Sequence, residues 1–506
     1  MIIKMISKFF RTFHKVSGLL LSLLFLMWFL SGITMIWHSF PKASQEYRMM
    51  RQDPLTENLP SLEEILSVLP NDTQPSTITI QRRYGRPAAT LGAKGLNVEY
   101  YLDSLAQVEA FSEGTREKII AEWCTAPVAK IDTLWKVDQW IPFERWKKEM
   151  PIYRYHFDDP QKHQLYMTSK DGRVIQFTDK DERFWAWLGA IPHWVYFTLL
   201  RQHQTAWTKF VIWSASIGCV MCLCGFFVAI TVWWKQRKNG LMHNPYKKRW
   251  HRWHFASGLI FGLFAITFAF SGVMSMTDLP QWLKKQKPKE GGHQERVTPG
   301  RRGMSGGKAL PAGTYLLDYR KAIAGCAPVK AISFESWKDK PYYKVTCNGS
   351  VKLVDASDTS GIRTFVLTQQ MVEADAVQRL LKNSSYSLEL INEYDKDYFA
   401  RKKERAPLPV YRVIADDYMN TRLYYNPNTL QVKQVNDDTR TRSFLYGGLH
   451  RLDIKFLTDR PALWHIVMLS LLTGGVFLSF TGVVLTIKYI KRQFKKTDKT
   501  NKTNKR

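Results

Sequence analysis

The sequence predicts a membrane α-helical bundle of four spanning helices that carries two α+β domains outside the bilayer, with an internal duplication relating its two halves. Three observations predict it. Apolar residues are concentrated in four stretches, basic residues cluster beside those stretches, and ordered motifs recur at a nearly constant offset along the 506 residues.

The four stretches cover residues 16–37, 210–234, 255–276 and 466–487, and none contains Asp, Glu, Lys or Arg. At about 1.5 Å per helical residue, each is long enough to cross a hydrocarbon core of about 30 Å. The modest mean hydropathy of the chain, −0.28, hides this segregation. Residues 1–40 hold a cytoplasmic N-terminus and the first span, and 41–205 the first outer domain. Residues 206–235 hold the second span, 236–252 a cytoplasmic loop, and 253–278 the third span. The second outer domain covers 279–460, the fourth span 461–488, and a basic cytoplasmic tail 489–506.

Orientation follows from the basic residues. Lys4, Lys8, Arg11 and Lys15 precede the first span. Lys235, Arg237, Lys238, Lys247, Lys248, Arg249 and Arg252 follow the second, and the tail beyond Lys488 is rich in both types. The positive-inside rule makes all three regions cytoplasmic and turns both long segments outward. The net charge of +29 exceeds what these regions supply, so the outer surface is mildly basic as well. No nucleic-acid partner is expected, and the lipid bilayer is. The first span is read as a retained anchor, because it exceeds a typical signal h-region and no small-x-small site follows Trp37-His38-Ser39-Phe40.

The repeat is read residue by residue. Phe13-His14-Lys15-Val16-Ser17-Gly18-Leu19 parallels Trp253-His254-Phe255-Ala256-Ser257-Gly258-Leu259, and Ser31-Gly32 parallels Ser271-Gly272, at an offset of 240. Pro151-Ile152-Tyr153-Arg154, Asp158-Asp159 and Leu165-Tyr166 parallel Pro409-Val410-Tyr411-Arg412, Asp416-Asp417 and Leu423-Tyr424 at 258. His193, Trp207 and Gly218 parallel His450, Trp464 and Gly475 at 257. In the outer segments, alternation predicts strands at 76–81, 98–102, 153–157, 164–168 and 174–177, then at 331–335, 342–346, 411–414, 422–426 and 432–435. Helices are expected at 62–68, 115–123 and 374–381. The hairpins read as antiparallel, in small sheets. Residues 284–307 read as a flexible loop, and the tail after Lys491 as unstructured.

Of twelve histidines, only His14/His254 and His193/His450 recur at matched positions. The first pair sits at the cytoplasmic ends of the first and third spans, the second outside, before the second and fourth. Two imidazoles facing across a pseudo-twofold axis can clamp one haem iron as a six-coordinate, electron-transferring centre. Interfacial anchoring and a zinc site are the other readings of such histidines, although the spacings match no standard zinc motif. Without Cys-x-x-Cys-His, covalent haem attachment is excluded. Gly18, Gly32, Gly258, Gly272 and Gly475 allow close approach of either a helix or a flat macrocycle. His38, His465 and His251 are alternative ligands, while His156, His163, His243 and His293 read as surface residues and His203 as near the outer surface. Cys219, Cys222 and Cys224 read as packed thiols, and Cys326 with Cys347 as a permitted disulfide.

The order His-x-x-Ser-Gly-Leu, Pro-Ile-Tyr-Arg, Asp-Asp, Leu-Tyr and Gly-Arg-Val, then His before a span, resembles the PepSY-associated transmembrane family. Leu449-His450 matches the family's Leu-His motif, and Pro192-His193 departs from it. The resemblance implies PepSY-like periplasmic domains and an inner-membrane ferric-siderophore reductase with two b-type haems. His14 and His254 would be the inner ligands, His193 and His450 the outer. The substrate would be a ferric siderophore or other ferric chelate, and the electron donor an external quinol or cytoplasmic reductase, since no nucleotide or flavin motif is present. Reduction releases iron because hard oxygen donors hold Fe(III) better than Fe(II). Isolated PepSY modules imply a second possibility, a non-catalytic binding or regulatory protein. A transporter fits less well, for want of charged residues in the spans. Trp185, Trp187 and Trp194 read as interfacial anchors or as a docking surface.

Overall fold

In the computed structural model, the described residues are 2–503 without 56–57, 71–72, 94–95, 241–243, 286–308, 326–327, 381–383 and 402–405. Among the described residues, four helices are long and apolar enough to cross a membrane, over Met5–Met35, Gln204–Lys238, Arg249–Met276 and Pro461–Lys495. Each packs against two others in cyclic order, first on second, second on third, third on fourth, fourth on first. The first and third helices therefore stand diagonally opposite. Phe25, Phe29, Met221, Ala265, Ala269, Met468 and Leu472 fill the centre. The tail differs from expectation. The fourth helix continues to Thr503, because its Lys, Arg and Gln residues are good helix formers and no Gly or Pro interrupts them.

Among the described residues, three antiparallel sheets lie outside the spans. One contains β4 (Val128–Leu134), β5 (Ile152–Phe157), β6 (Gln164–Thr168) and β7 (Val174–Thr178) in that order. A second has the same order in the other half: β11 (Tyr386–Ile391), β12 (Val410–Ala415), β13 (Arg422–Tyr425) and β14 (Val432–Val435). The third joins the halves. Its order is β10-β9-β8-β1-β2-β3, with β1 (Thr77–Arg83), β2 (Arg86–Ala93) and β3 (Leu96–Tyr101) on one side. On the other are β8 (Val329–Trp337), β9 (Lys340–Cys347) and β10 (Ser350–Asp355).

Separate small sheets in each half were the expectation for these strands. Instead β1 pairs with β8, Ile78 opposite Phe334 and Ile80 opposite Ile332, and the Thr79 and Ser333 hydroxyls meet at 3.3 Å. Alternation explains the face each strand buries, since Ile78, Ile80, Ile332 and Phe334 all lie in one core. Helix Glu113–Trp123 covers the expected 115–123, Gln369–Arg379 covers the expected 374–381 only as far as 379, and Leu62–Leu66 stops two residues short of the expected 62–68. Cys347 is disulfide-bonded, while Cys326, its expected partner, lies outside the described residues. So do His243, His293 and most of the 284–307 segment. Cys124, Cys219, Cys222 and Cys224 are unoxidised thiols.

The Tyr-Arg and Leu-Tyr motifs build the same cluster in both four-stranded sheets. Arg154 binds Asp132 at 2.6 Å and Asp138 at 3.0 Å, and the Tyr166 hydroxyl donates to Asp138 at 2.8 Å. Arg412 binds Glu389 and Asp395, and the Tyr424 hydroxyl donates to Asp395 at 2.8 Å. His156 adds a contact to Asp132, and His163 pairs with Asp159. Hydrogen bonds from Lys130 and then Arg154 hold the Asp132 carboxyl well below its ordinary range. Burial opposes this at Asp395, but Arg412, the Tyr398 amide and Tyr424 outweigh it and lower that carboxyl too. A carboxyl lowered in the folded state contributes stability above its unfolded pKa, about 4, and loses it as pH falls through the folded value. The two four-stranded sheets are therefore expected to melt at a steady temperature between about pH 8 and 5 and at a falling one below about pH 4. Tryptophan-fluorescence melts check this, and a melting temperature that rises on acidification would refute it.

Candidate functional site: two facing imidazole pairs

The diagonal arrangement of the first and third helices brings His14 to His254, with ring centres 6.0 Å apart and planes inclined by 35°. At the other end His193 faces His450, again at 6.0 Å, inclined by 59°. His14 and Ser31, which contacts His193, are separated along one helix by about 25 Å. The two pairs thus sit near opposite ends of the bundle.

Hydrogen bonds orient each ring through the same nitrogen. His14 Nδ1 lies 2.9 Å from the Met221 carbonyl of the second helix, which can only accept. His254 Nδ1 lies 2.9 Å from the Thr481 hydroxyl of the fourth, whose own hydrogen is donated to the Leu478 carbonyl at 2.7 Å. His193 Nδ1 meets the Ser31 hydroxyl and the Trp28 carbonyl, both at 3.3 Å. His450 Nδ1 meets the Ser271 hydroxyl at 3.0 Å, and Ser271 donates to the Phe268 carbonyl. At His14 and His193 the carbonyl partner makes Nδ1 the donor, and at His254 and His450 the hydroxyl's own bond to a helix carbonyl suits the same tautomer. A neutral imidazole of this tautomer carries its lone pair on Nε2, the form a metal ligand takes when a partner fixes its other nitrogen.

The His193–His450 pair is carried on two short helices, Ala190–Trp194 and Leu449–Arg451. Each ends in a left-handed residue, Val195 at φ 54° and Leu452 at φ 53°, which turns the chain back toward the next span. The matched tryptophans then pin the turns. Trp207 donates to the Trp194 carbonyl at 2.9 Å, and Trp464 to the Arg451 carbonyl at 3.1 Å. Gly189 allows the first of these segments to approach the membrane helix, since a Cβ there would meet Thr34 at 2.9 Å.

The alternative histidines lie elsewhere. His38 stacks flat on Trp185, His465 lies over Trp37 and against the Pro461 carbonyl, and His251 lies near Tyr246. His203 precedes the second spanning helix as its cap. The glycines divide. A Cβ at Gly18 or Gly272 meets nothing within 4 Å, and one at Gly258 comes only to 3.7 Å from Leu478. Gly32 lies against Leu472 and His193, whereas Gly475 receives the Phe29 ring and serves helix packing.

Ser31, Ser271 and Thr481 escaped the sequence reading, although the repeated Ser-Gly steps contained two of them. Gly225 escaped it too: a Cβ there would meet the His14 ring. Its match at the 257 offset, Gly482, faces His254. Among the described residues, no group of three or more His, Cys, Asp or Glu side chains is placed to hold a metal ion. No protein-family model matches the chain, and no curated protein matches it significantly.

Proposed function

We propose that this membrane protein is a haem-dependent reductase of the bacterial inner membrane. It carries electrons across the bilayer to ferric iron in siderophores or other ferric chelates in the periplasm, releasing Fe(II). The observation that carries the reading is the pair of facing imidazoles at each end of the bundle. A metal–nitrogen bond of about 2.0 Å, and about 1.1 Å from nitrogen to ring centre, put two collinear imidazoles about 6.2 Å apart. Both pairs stand at 6.0 Å. Two side-chain ligands alone leave a metal under-coordinated, which favours a group that brings its own equatorial donors. Haem supplies one-electron transfer in such a site, without open positions for oxygen.

His14 and His254 would hold the inner b-type haem, and His193 and His450 the outer. Met221, Thr481, Ser31 and Ser271 keep Nε2 of each ring in the ligating form. The basic flanks support a cytoplasmic inner site and periplasmic sheets. The equal sheet orders and the repeated Arg–Asp–Tyr clusters support duplication and a PepSY-like character. The choice of ferric siderophore as substrate rests on the family resemblance and on the softer hold of oxygen donors on Fe(II). A quinol or a cytoplasmic reductase supplies the electrons.

Purified protein, expressed with haem in supply, is expected to show a reduced b-type spectrum with about two haems per chain. The reduced protein should be reoxidised by a ferric chelate, with Fe(II) trapped by a coloured chelator. Colourless protein would remove the reductase reading in favour of a non-catalytic PepSY-type binding or regulatory protein.

A further inference from the structure

The halves differ at one matched contact on the outer side. His38 and Trp185 correspond, at the 240 and 257 offsets, to Asp278 and Arg442. The His38 ring lies on the Trp185 indole at 4.3 Å and 3°, whereas Asp278 and Arg442 form an exposed ion pair at 3.9 Å. Both halves bring these positions together, one through aromatic faces and the other through charge. An aromatic stack in place of an ion pair offers π faces that a flat, π-rich group can extend.

That stack walls a cleft of about 370 Å³ at the outer end of the first spanning helix, together with Trp37, Lys42 and Glu182. Trp37 is more than half exposed. It follows Ser31, the partner of His193, by six residues, in the turn just beyond the helix end at Met35. From the other wall, the Gly189 amide donates to the Trp185 carbonyl and the His193 amide to the Gly189 carbonyl, so the stack and the outer imidazole share one backbone chain of bonds. Glu182 is engaged in capping its own helix, where it accepts the Asp179 amide at 3.2 Å. Lys42 is exposed and brings a positive charge to the lining, which Glu182, held at its own helix N-terminus, opposes.

The geometry points to a docking cleft for an aromatic, anionic ferric chelate, of catecholate or phenolate type, beside the outer imidazole pair. It rests on the reductase reading for the reason a chelate would come there. A catecholate ring extends the His38–Trp185 stack or covers Trp37, and its negative charge meets Lys42. The volume suits a chelating ring rather than a whole siderophore. Aliphatic hydroxamate complexes offer neither ring nor net negative charge. At the docked chelate, one electron from the quinol or cytoplasmic reductase converts Fe(III) to Fe(II), and no covalent bond of the chelator changes.

The test uses full-length protein in nanodiscs and redox-inert gallium(III) tris-catecholate, followed by tryptophan quenching, with gallium(III) tris-acetohydroxamate as the contrast. Saturable catecholate binding is expected, at least about tenfold tighter than hydroxamate binding. Lys42→Gln, an exposed change that leaves the fold alone, and Trp185→Leu should each weaken it about fivefold. Equal affinity for the two complexes, affinity unchanged in both variants, or non-saturable uptake matching protein-free nanodiscs would each overturn the cleft. Gallium binding needs no electron transfer. Protein with two haems and no gallium site sinks the cleft alone, while colourless protein that binds gallium catecholate sinks the reductase reading and keeps the cleft.

Discussion

His14→Ala is expected to abolish the same haem centre that His254→Ala abolishes, and to leave the other centre spectroscopically intact. The rings come from diagonal helices and stand 6.0 Å apart, so both would hold one and the same haem. Removing either takes away one of the two side chains that would hold the group. Haem content should fall from about two to about one per chain. His193→Ala and His450→Ala should do the same to the other centre. His38→Ala, His251→Ala and His465→Ala should retain both, because those rings contact Trp185, Tyr246 and Trp37. Absorbance and low-temperature spin-state spectra of the seven variants decide the matter. Loss of different centres from His14→Ala and His254→Ala would refute the pairing.

What made the four histidines legible was recurrence, which singles them out from twelve without reference to packing. The spans were legible because length and lack of charge are local properties. Partnership between distant segments is not. Alternation shows that β1 and β8 each bury one face, but not that Ile78 would lie opposite Phe334 some 250 residues away. The strands β2, β4, β10 and β11 were missed for local reasons. Arg86-Pro87 and Gly92 make β2 a poor strand former, and β4 is an edge strand with its side chains largely exposed. The serines show the same limit. A serine within an apolar helix ordinarily bonds the carbonyl four residues back, as Ser17 does with Phe13 and Ser257 with Trp253. Ser31 likewise bonds the Met27 carbonyl and Ser271 the Phe268 carbonyl three residues back, and only the fold adds an imidazole to each.

Recurrence also has to fail at the centre of the bundle. Phe25 and Phe29 of the first helix correspond to Ala265 and Ala269 of the third, all four buried. The two phenyl rings sit where Cβ atoms on Gly218 and Gly475 would stand. Large side chains from both diagonal helices would compete for that volume, and overpacking is as costly as a void. A large–small exchange across the centre resolves the competition. Phe29 then lies against Phe268, which in turn lies against His450, so the residues that divide the two sites also set the packing of the outer one.

The same divergence predicts unequal outcomes at two matched glycines beside the inner pair. A Cβ at Gly225 would stand 2.6 Å from His14 Nδ1, inside any real contact, whereas one at Gly482 would stand 3.6 Å from His254 Cε1, at ordinary van der Waals distance. Gly225→Ala should therefore drive the His14 ring from the Met221 carbonyl and out of line with His254. Overpacking of this kind costs about 1–3 kcal/mol, which is about 5- to 150-fold in occupancy of the inner site. Gly482→Ala should retain the inner centre and gain slightly in helix propensity. The measurement is haem retained per chain after a competing apoprotein is added, compared between the two variants. Equal retention would mean that His14 relaxes without losing its alignment, and that the glycine serves the packing of the second helix rather than the imidazole.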